Sequence, residues 1–391
     1  MAKILAAFDK CKDSLAAKEL CLIVKKILEQ AERSNSVEMM PLTDGGEGFS
    51  EILTEKAEGK LSLILASDSI GRTKEIGIGL CELEKLPDSV KELLQLPEKG
   101  RIAIVEMAKV VGLSDLSISE RNAWKTSTAG IGEVFKHLST LNLDSILLGI
   151  GGSSTNDMGI GALNRLGMEM FSNSGKVLEF PSPENWNLLA RLSRNKMVSL
   201  PSIKIACDVK NPLLGPNGAT YQFGGQKGLS LEDRHSLEDQ MNKMVLKLSE
   251  LFPNAEKAAS LEGSGAAGGI GYGLSLVYDV SMVGGFDLIS NWFQMENKII
   301  DSDLVITGEG RFDRTSLEGK GPFELIRTAS DHGKKAYVFA GSVEPEAKKI
   351  CQQRFPDVVI HQFGNPNLDL EQNLARAEEF LTGKIKEVLF D

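Results

Sequence analysis

The 391-residue sequence predicts an α/β protein of two domains: one a parallel sheet built from both chain ends, the other a mixed α/β domain inserted between them. Three observations lead there. The length exceeds one ordinary core, at about 150 residues per domain. Both ends of the chain alternate short apolar runs with segments of helical apolar spacing. Between the ends that alternation gives way to longer strand candidates and glycine-rich loops.

At the start, KILAAF (Lys3 to Phe8) reads as a buried strand, Ser14 to Gln30 as a helix, and Val37 to Leu42 as a second strand. Strand, helix and strand in succession imply parallel pairing. The last hundred residues repeat the pattern. DLVIT (Asp303 to Thr307), KAYVFAG (Lys335 to Gly341) and DVVIHQF (Asp357 to Phe363) are the strands. Helices are expected from about Pro322 to Asp331, Pro345 to Arg354 and Leu370 to Leu389. Strands are also expected at Leu61 to Ser67, Lys74 to Cys81, Arg101 to Glu106, Ser145 to Leu148 and Ile203 to Cys207, with the charged stretch Glu82 to Gly100 as a solvated helical elaboration. We therefore expect residues 1–65 with 293–391 in the discontinuous domain and 66–292 in the insert, with hinge closure across the double crossing.

A net charge of -10 leaves no general attraction for nucleic acid or an anionic membrane. Five scattered cysteines without a CxxC pair suggest neither a disulfide framework nor a zinc site, and a reducing cytoplasm fits them. No run reaches the roughly 18 to 20 apolar residues of a membrane span, and Asp9 interrupts the apolar start too early for a signal peptide.

Small and acidic residues gather in five strings: DGGEG (Asp44 to Gly48), GIGGSSTNDMGIG (Gly149 to Gly161), ACDVKNPLLGPNGA (Ala206 to Ala219), GSGAAGGIG (Gly263 to Gly271) and TGEGRFD (Thr307 to Asp313). Glycines let backbone N–H groups approach a ligand, and Asp, Asn, Ser and Thr add short polar arms. The strings are expected to line one polar cleft. Asp44 follows a strand and opens a helix, at the sheet edge where α/β folds bind ligands; a capped turn also accounts for it, although a cap does not need three glycines.

Gly151 and Gly152 permit a tight turn, and Ser153, Ser154 and Thr155 with helix-start amides make a candidate phosphate cradle. A close-packed strand-to-helix turn is the alternative. Asn156 and Asp157 are placed for Mg²⁺ or substrate. GSGAAG has the letters of a dinucleotide fingerprint but follows a helix-like segment rather than a strand, so a Rossmann site is rejected, and no Walker A loop is present. Asp208 comes directly after a strand, a suitable place for a base. Glu309, Arg311 and Asp313 recur at every second position, the period of an extended chain, and Arg311 with Asp313 also reads as an ordinary surface ion pair. The four histidines lack ligand spacing.

Together with FDKCKDSL (Phe8 to Leu15), VEMA (Val105 to Ala108), FGGQKG (Phe223 to Gly228) and GKGP (Gly319 to Pro322), these strings resemble, in order and over nearly the whole chain, the bacterial glycerate kinases that lack a Walker loop. The chain departs from the usual pattern at several positions, among them Asp13, where Gly or Glu is common, and Met158, where Gly is common.

The resemblance implies a flavodoxin-like domain made from both chain ends. It also implies ATP-dependent phosphorylation of D-glycerate, most often at the 2-hydroxyl, in an interdomain cleft. Asp208 is then expected to take the hydroxyl proton, with Asp44 or Asp157 as the alternative base or as a Mg²⁺ ligand together with Glu309. Lys12, Arg311 and Lys227 are expected to hold carboxylate and phosphoryl charge, with Asn211 also at the substrate. The loops Gly151 to Asn156 and Gly263, Gly265 and Gly268 are expected at the nucleotide phosphates. Competing readings are a two-domain sensor for a small polar anion, a kinase for another hydroxy acid, and an isomerase or aldolase, for which no Schiff-base lysine stands out.

Overall fold

The computed structural model describes residues 2–30, 35–319 and 321–390. Lys320, in the GKGP string, lies outside the described residues. Strands run in chain order β1 (Lys3–Phe8), β2 (Ser36–Met39), β3 (Lys60–Ser67), β4 (Thr73–Glu82), β5 (Arg101–Glu106), β6 (Ser145–Gly149), β7 (Glu169–Ser172), β8 (Leu189–Ser193), β9 (Ser202–Ala206), β10 (Val280–Val283), β11 (Leu304–Phe312), β12 (Lys335–Val343) and β13 (Val358–Gln362). The chain forms two units, residues 1–43 with 289–391 and residues 44–288.

The first unit holds a sheet of order β2-β1-β11-β12-β13, parallel throughout. Renumbered along the unit this is 2-1-3-4-5, the flavodoxin-like order, whose switch point lies between β1 and β11. After Lys3, every residue of β1 is buried, as a parallel strand covered on both faces requires. The helix Ala17–Glu29 turns Leu20, Cys21, Val24 and Leu28 onto this sheet. Pro345 opens its helix at the first turn, where its missing N–H costs nothing. The expected closing helix is two helices, Leu370–Ala375 and Ala377–Phe390, separated at Arg376.

The second unit holds a mixed sheet of order β10-β9-β6-β5-β4-β3. β10, β9, β6 and β5 are parallel, while β4 runs antiparallel to both β5 and β3. β7 and β8 form a separate antiparallel pair. The division falls at 43/44 and 288/289, so residues 44–65, expected with the chain ends, belong to this unit. The reason is pairing: β3 runs beside β4 from Lys60↔Leu80 to Ser67↔Thr73. The charged stretch Glu82 to Gly100 is not simply a solvated face, because Leu83, Leu86, Val90 and Leu94 are buried under it. Among the described residues no helix is long and apolar enough to cross a membrane.

Candidate functional site

In the first unit the carboxyl ends of β1 and β11 meet at the switch point. The Asp9 amide donates to the Gly308 carbonyl at 2.9 Å, and a Cβ on Gly310 would lie 3.3 Å from Cys11 Cα and 3.7 Å from the Lys12 nitrogen. The backbone of Lys12 is thereby brought beside Gly310, between Glu309 and Arg311 in sequence, at the place where ligands of this fold bind. β11 continues to Phe312 instead of ending at Thr307, so Glu309 and Arg311 are strand residues. Glu309 is buried and Arg311 is exposed. The Arg311–Asp313 ion pair is made, at 3.1 Å. Asp313 also accepts from the Thr315 hydroxyl and amide, at 2.7 and 2.9 Å, and with Arg311 these hold its carboxyl below the usual range.

In the second unit Asp208 stands two residues beyond the end of β9. Its Oδ1 accepts the Gly285 amide at 2.7 Å, at the start of the helix Gly285–Phe293. Burial raises its proton affinity; the Gly285 and Phe286 amides oppose that, and the nearby carboxylates of Asp44 and Asp287 add to it. A Cβ on Gly285 would sit 2.8 Å from Asp208 Oδ2 and 3.2 Å from the Asp44 carbonyl. Three acids from separate stretches of chain therefore share one small region. Asp287 was not singled out from sequence; its one signal is the Gly284–Gly285 pair ahead of a helix.

The glycine strings of this unit pack backbone against backbone. The Gly151 amide donates to the Gly45 carbonyl at 3.0 Å, and a Cβ on Gly151 would fall 2.7 Å from Gly46 Cα. Gly45, at φ +86°, lies with its missing Cβ 3.0 Å from the Ala206 carbonyl. DGGEG, GIGG and the end of β9 thus form one surface. Beneath it, Glu106 closes β5 and accepts from the Gly48 amide (3.1 Å), the Ser50 amide (3.0 Å) and the Ser50 hydroxyl (3.2 Å). Glu106, within the VEMA string, is a buried acid to which the sequence assigns no role.

The expected phosphate cradle is only partly as foreseen. Ser154 is turned inward, its hydroxyl and amide both on the Val111 carbonyl at 2.8 and 3.0 Å. Gly152 is exposed, and among the described residues neither its amide nor that of Ser153 has an acceptor. Thr155 Oγ1 and Asn156 Oδ1 are buried without a partner among the described residues. The Asn156 amide nitrogen reaches Thr220 Oγ1 at 3.3 Å.

Asp157, expected as a metal ligand, is wholly buried. It accepts from the Thr128 amide and hydroxyl at 2.7 and 2.9 Å and from the Gly161 and Gly159 amides at 3.1 and 3.3 Å. These bonds pin the helices Ala129–Leu138 and Ile160–Arg165, the work of a structural clamp, and the geometry gives a metal role no support.

GSGAAG is likewise a packing hub. Gly265 donates to the Asn211 carbonyl at 3.0 Å, and Gly268 donates to Gly265 at 3.2 Å. A Cβ on Gly265 would meet the Pro212 carbonyl at 2.0 Å, and one on Gly268 the Thr155 carbonyl at 2.1 Å. Gly263 lies against Met282 and Val209. These three glycines are explained by close approach within the protein. Asn211 holds its own loop, donating to the Asn217 carbonyl at 2.7 Å.

Lys227 is buried and donates to the Thr155 carbonyl at 2.6 Å and Ser153 Oγ at 3.2 Å. Burial lowers its ammonium to about 7, with Asp157 opposing that shift. Its expected place on the substrate is thus occupied by loop contacts instead. Among the described residues no group of three or more His, Cys, Asp and Glu is arranged to hold a metal ion, the expected set Asp44, Asp157 and Glu309 included.

Comparison with known proteins agrees with this architecture. The family described as the Glycerate kinase family matches residues 4–390. Glycerate kinase from Haemophilus influenzae is 31% identical over 99% of this chain and 97% of its own length. The Bacillus subtilis glycerate kinase is 30% identical over 90% and 87%. Glycerate 2-kinase from Escherichia coli K12 is 29% identical over 90% and 88%. A crystal structure from Salmonella typhimurium LT2, assigned as a glycerate kinase 2, superposes with a TM-score of 0.74 at 27% identity, covering 99% of this chain and 97% of that one. With the flavodoxin-like order of its first sheet and a family match over nearly its full length, this chain belongs to the glycerate kinase family and is a kinase.

Proposed function

We propose that this protein transfers the γ-phosphoryl group of ATP to the 2-hydroxyl of D-glycerate, in line, as a cytoplasmic enzyme. The observation that supports the reading most is Asp208, a carboxylate beyond a strand end whose proton affinity is raised by burial and by Asp44 and Asp287. Such a group suits a base that takes the hydroxyl proton while the new O–P bond forms and ADP leaves. The exposed Gly152 turn, with the Gly152 and Ser153 amides, is the proposed contact for nucleotide phosphates. Lys12 and Arg311 are the proposed holders of negative charge on substrate, Arg311 by a two-point grip on a carboxylate.

Magnesium fits the donor set, because Mg²⁺ prefers carboxylate oxygen and needs only one or two such ligands when phosphates supply the rest. Asp44, with Asp287 near it, would hold the ion, which supplies neutralisation of phosphate charge. The residues of the chain do the remaining work: they accept the proton, orient the hydroxy acid and fix the phosphate-facing turn.

The test is incubation of the pure protein with D-glycerate and Mg-ATP, following ADP release and identifying the product by phosphorus NMR. We expect 2-phosphoglycerate. The 3-isomer would overturn the regiochemistry. Faster turnover of a different hydroxy acid, or no ADP release with any, would overturn the substrate.

A further inference from the structure

The turn proposed to meet nucleotide phosphates is fastened from inside by a side chain more than seventy residues away. Lys227 sits in the short turn Gly225–Lys227, within FGGQKG. The glycines there permit tight packing: a Cβ on Gly224 would meet the Thr220 carbonyl at 2.5 Å, and one on Gly228 the Arg121 carbonyl at 1.9 Å. Gly228, at φ +80°, also closes the turn in a left-handed conformation that a side chain would resist. The turn drives the lysine inward, where it is 1% exposed.

The two hydrogen bonds of its amine go to Ser153 Oγ and the Thr155 carbonyl, not to its own turn. Ser153 follows Gly152, and Ser154, between the two contacts, is tied to Val111. Three consecutive residues are therefore anchored on their inner side while Gly152 stays exposed on the outer. An apolar side chain would fill the same space without the cost of burying an amine. What it could not do is fix the height and rotation of this turn.

We propose that Lys227 is a positioning residue for phosphoryl transfer: it touches no substrate, and sets the Gly152–Ser153 amides in the arrangement that receives phosphate. This rests on the reading of the turn given under Proposed function. Small misplacements of a positioning group cost turnover far more than they cost binding of a distant substrate group.

The experiment compares wild type with Lys227→Met, Ser153→Ala and Gly152→Val in steady-state kinetics with D-glycerate and Mg-ATP, together with hydrogen exchange of residues 151–156. For Lys227→Met we expect exchange in this segment to quicken by roughly tenfold or more. We also expect kcat to fall by roughly 30-fold or more, with the glycerate KM moving less than about threefold. Ser153→Ala removes one of the two anchors without leaving a charge unpaired, and should shift both readouts the same way by a few fold.

A large rise in glycerate KM at unchanged kcat and exchange would mean that Lys227 contacts substrate, and would overturn the proposal. So would wild-type behaviour of Lys227→Met. If that variant does not fold, Ser153→Ala decides, and wild-type kcat and exchange in it overturn the proposal. Gly152→Val separates the two levels. If it keeps wild-type kcat and ATP KM, the phosphate reading of the turn is at fault and the role of Lys227 falls with it. If it is inactive while Lys227→Met is normal, only the role of Lys227 falls.

Discussion

The carboxylate of Glu106 accepts both the amide and the hydroxyl of Ser50, at 3.0 and 3.2 Å. The helix Phe49–Lys56 begins at Gly48, which has no side chain with which to cap it. The Phe49 amide bonds the Gly46 carbonyl, while the Gly48 and Ser50 amides depend on an acceptor from β5. Burial raises the proton affinity of Glu106, while Lys109 and the Ser50 and Gly48 donors act against that. Glu106→Ala leaves three donors buried without an acceptor, and should cost about 2–4 kcal/mol in urea unfolding. Glu106→Gln keeps one acceptor oxygen and should cost less. Equal losses in the two variants would show that space filling, not the hydrogen bonds, is what matters here.

Lys227 gives a pH dependence of defined sign. Its ammonium is lowered by burial from 10.5 to about 7. Between those values the unfolded chain keeps a proton that the folded chain has lost, so this residue adds stability as pH rises, fully present above the unfolded value and lost as pH falls through about 7. The stability of wild type minus that of Lys227→Met should grow from pH 7 to pH 10 by up to about 1.4 kcal/mol per unit. Urea unfolding at four pH values checks it, and a flat difference would contradict the shift.

The first unit was largely legible in the sequence because its strands are short apolar runs alternating with helical spacing. The break at Arg376 in the closing helix and the length of β11 were not. That strand was expected to end at Thr307, yet it runs on to Phe312, and a Cβ on Gly308 would lie 1.9 Å from the Phe339 carbonyl, so glycine there serves close strand approach. The loops of the site were legible, but their inner and outer faces were not. Ser154 and Asp157 carry the side chains a phosphate or a metal would want, and the same chemistry satisfies a carbonyl or two helix starts. Glu106, although inside the VEMA string, was given no role and Asp287 was not singled out, because a single acid at an element end has no pattern of its own.

Asp208→Asn tests the proposed base with little damage to the fold. Asparagine keeps an oxygen for the Gly285 amide, the contact now made at 2.7 Å, so the helix Gly285–Phe293 keeps its start. Loss of a general base costs roughly 10²–10⁴ in rate. ADP release should fall by that order while the unfolding midpoint stays within a few degrees. Turnover close to wild type would remove Asp208 from the chemistry.

Arg311→Ala should act on the substrate and not on the fold. The Arg311–Asp313 pair is at the surface, with the arginine 71% exposed, and exposed pairs contribute roughly 0–1 kcal/mol. If Arg311 grips a carboxylate, its removal should raise the glycerate KM by roughly 10- to 100-fold, with Arg311→Lys recovering only part because a lysine cannot make the two-point contact. A KM unchanged in Arg311→Ala would leave the residue with its surface ion pair alone.

Two departures from the family pattern, Asp13 and Met158, both stand in left-handed backbone, at φ 61° and 59°. Glycine at either place would relieve the Cβ crowding that this conformation brings, worth about 1–2 kcal/mol for most residues and less for aspartate, which tolerates it. The two sites nevertheless differ in what glycine would remove. Asp13 is exposed, so Asp13→Gly should be neutral or stabilising by up to about 1 kcal/mol. Met158 is 0% exposed in the core with Ile160, Leu213 and Tyr272. Deleting a buried methionine side chain costs about 2–5 kcal/mol, which outweighs the relief, so Met158→Gly should be destabilising despite restoring the common residue. Thermal unfolding of the two variants side by side checks the contrast, and stabilisation by both would show that backbone strain at Met158 exceeds the value of its packing.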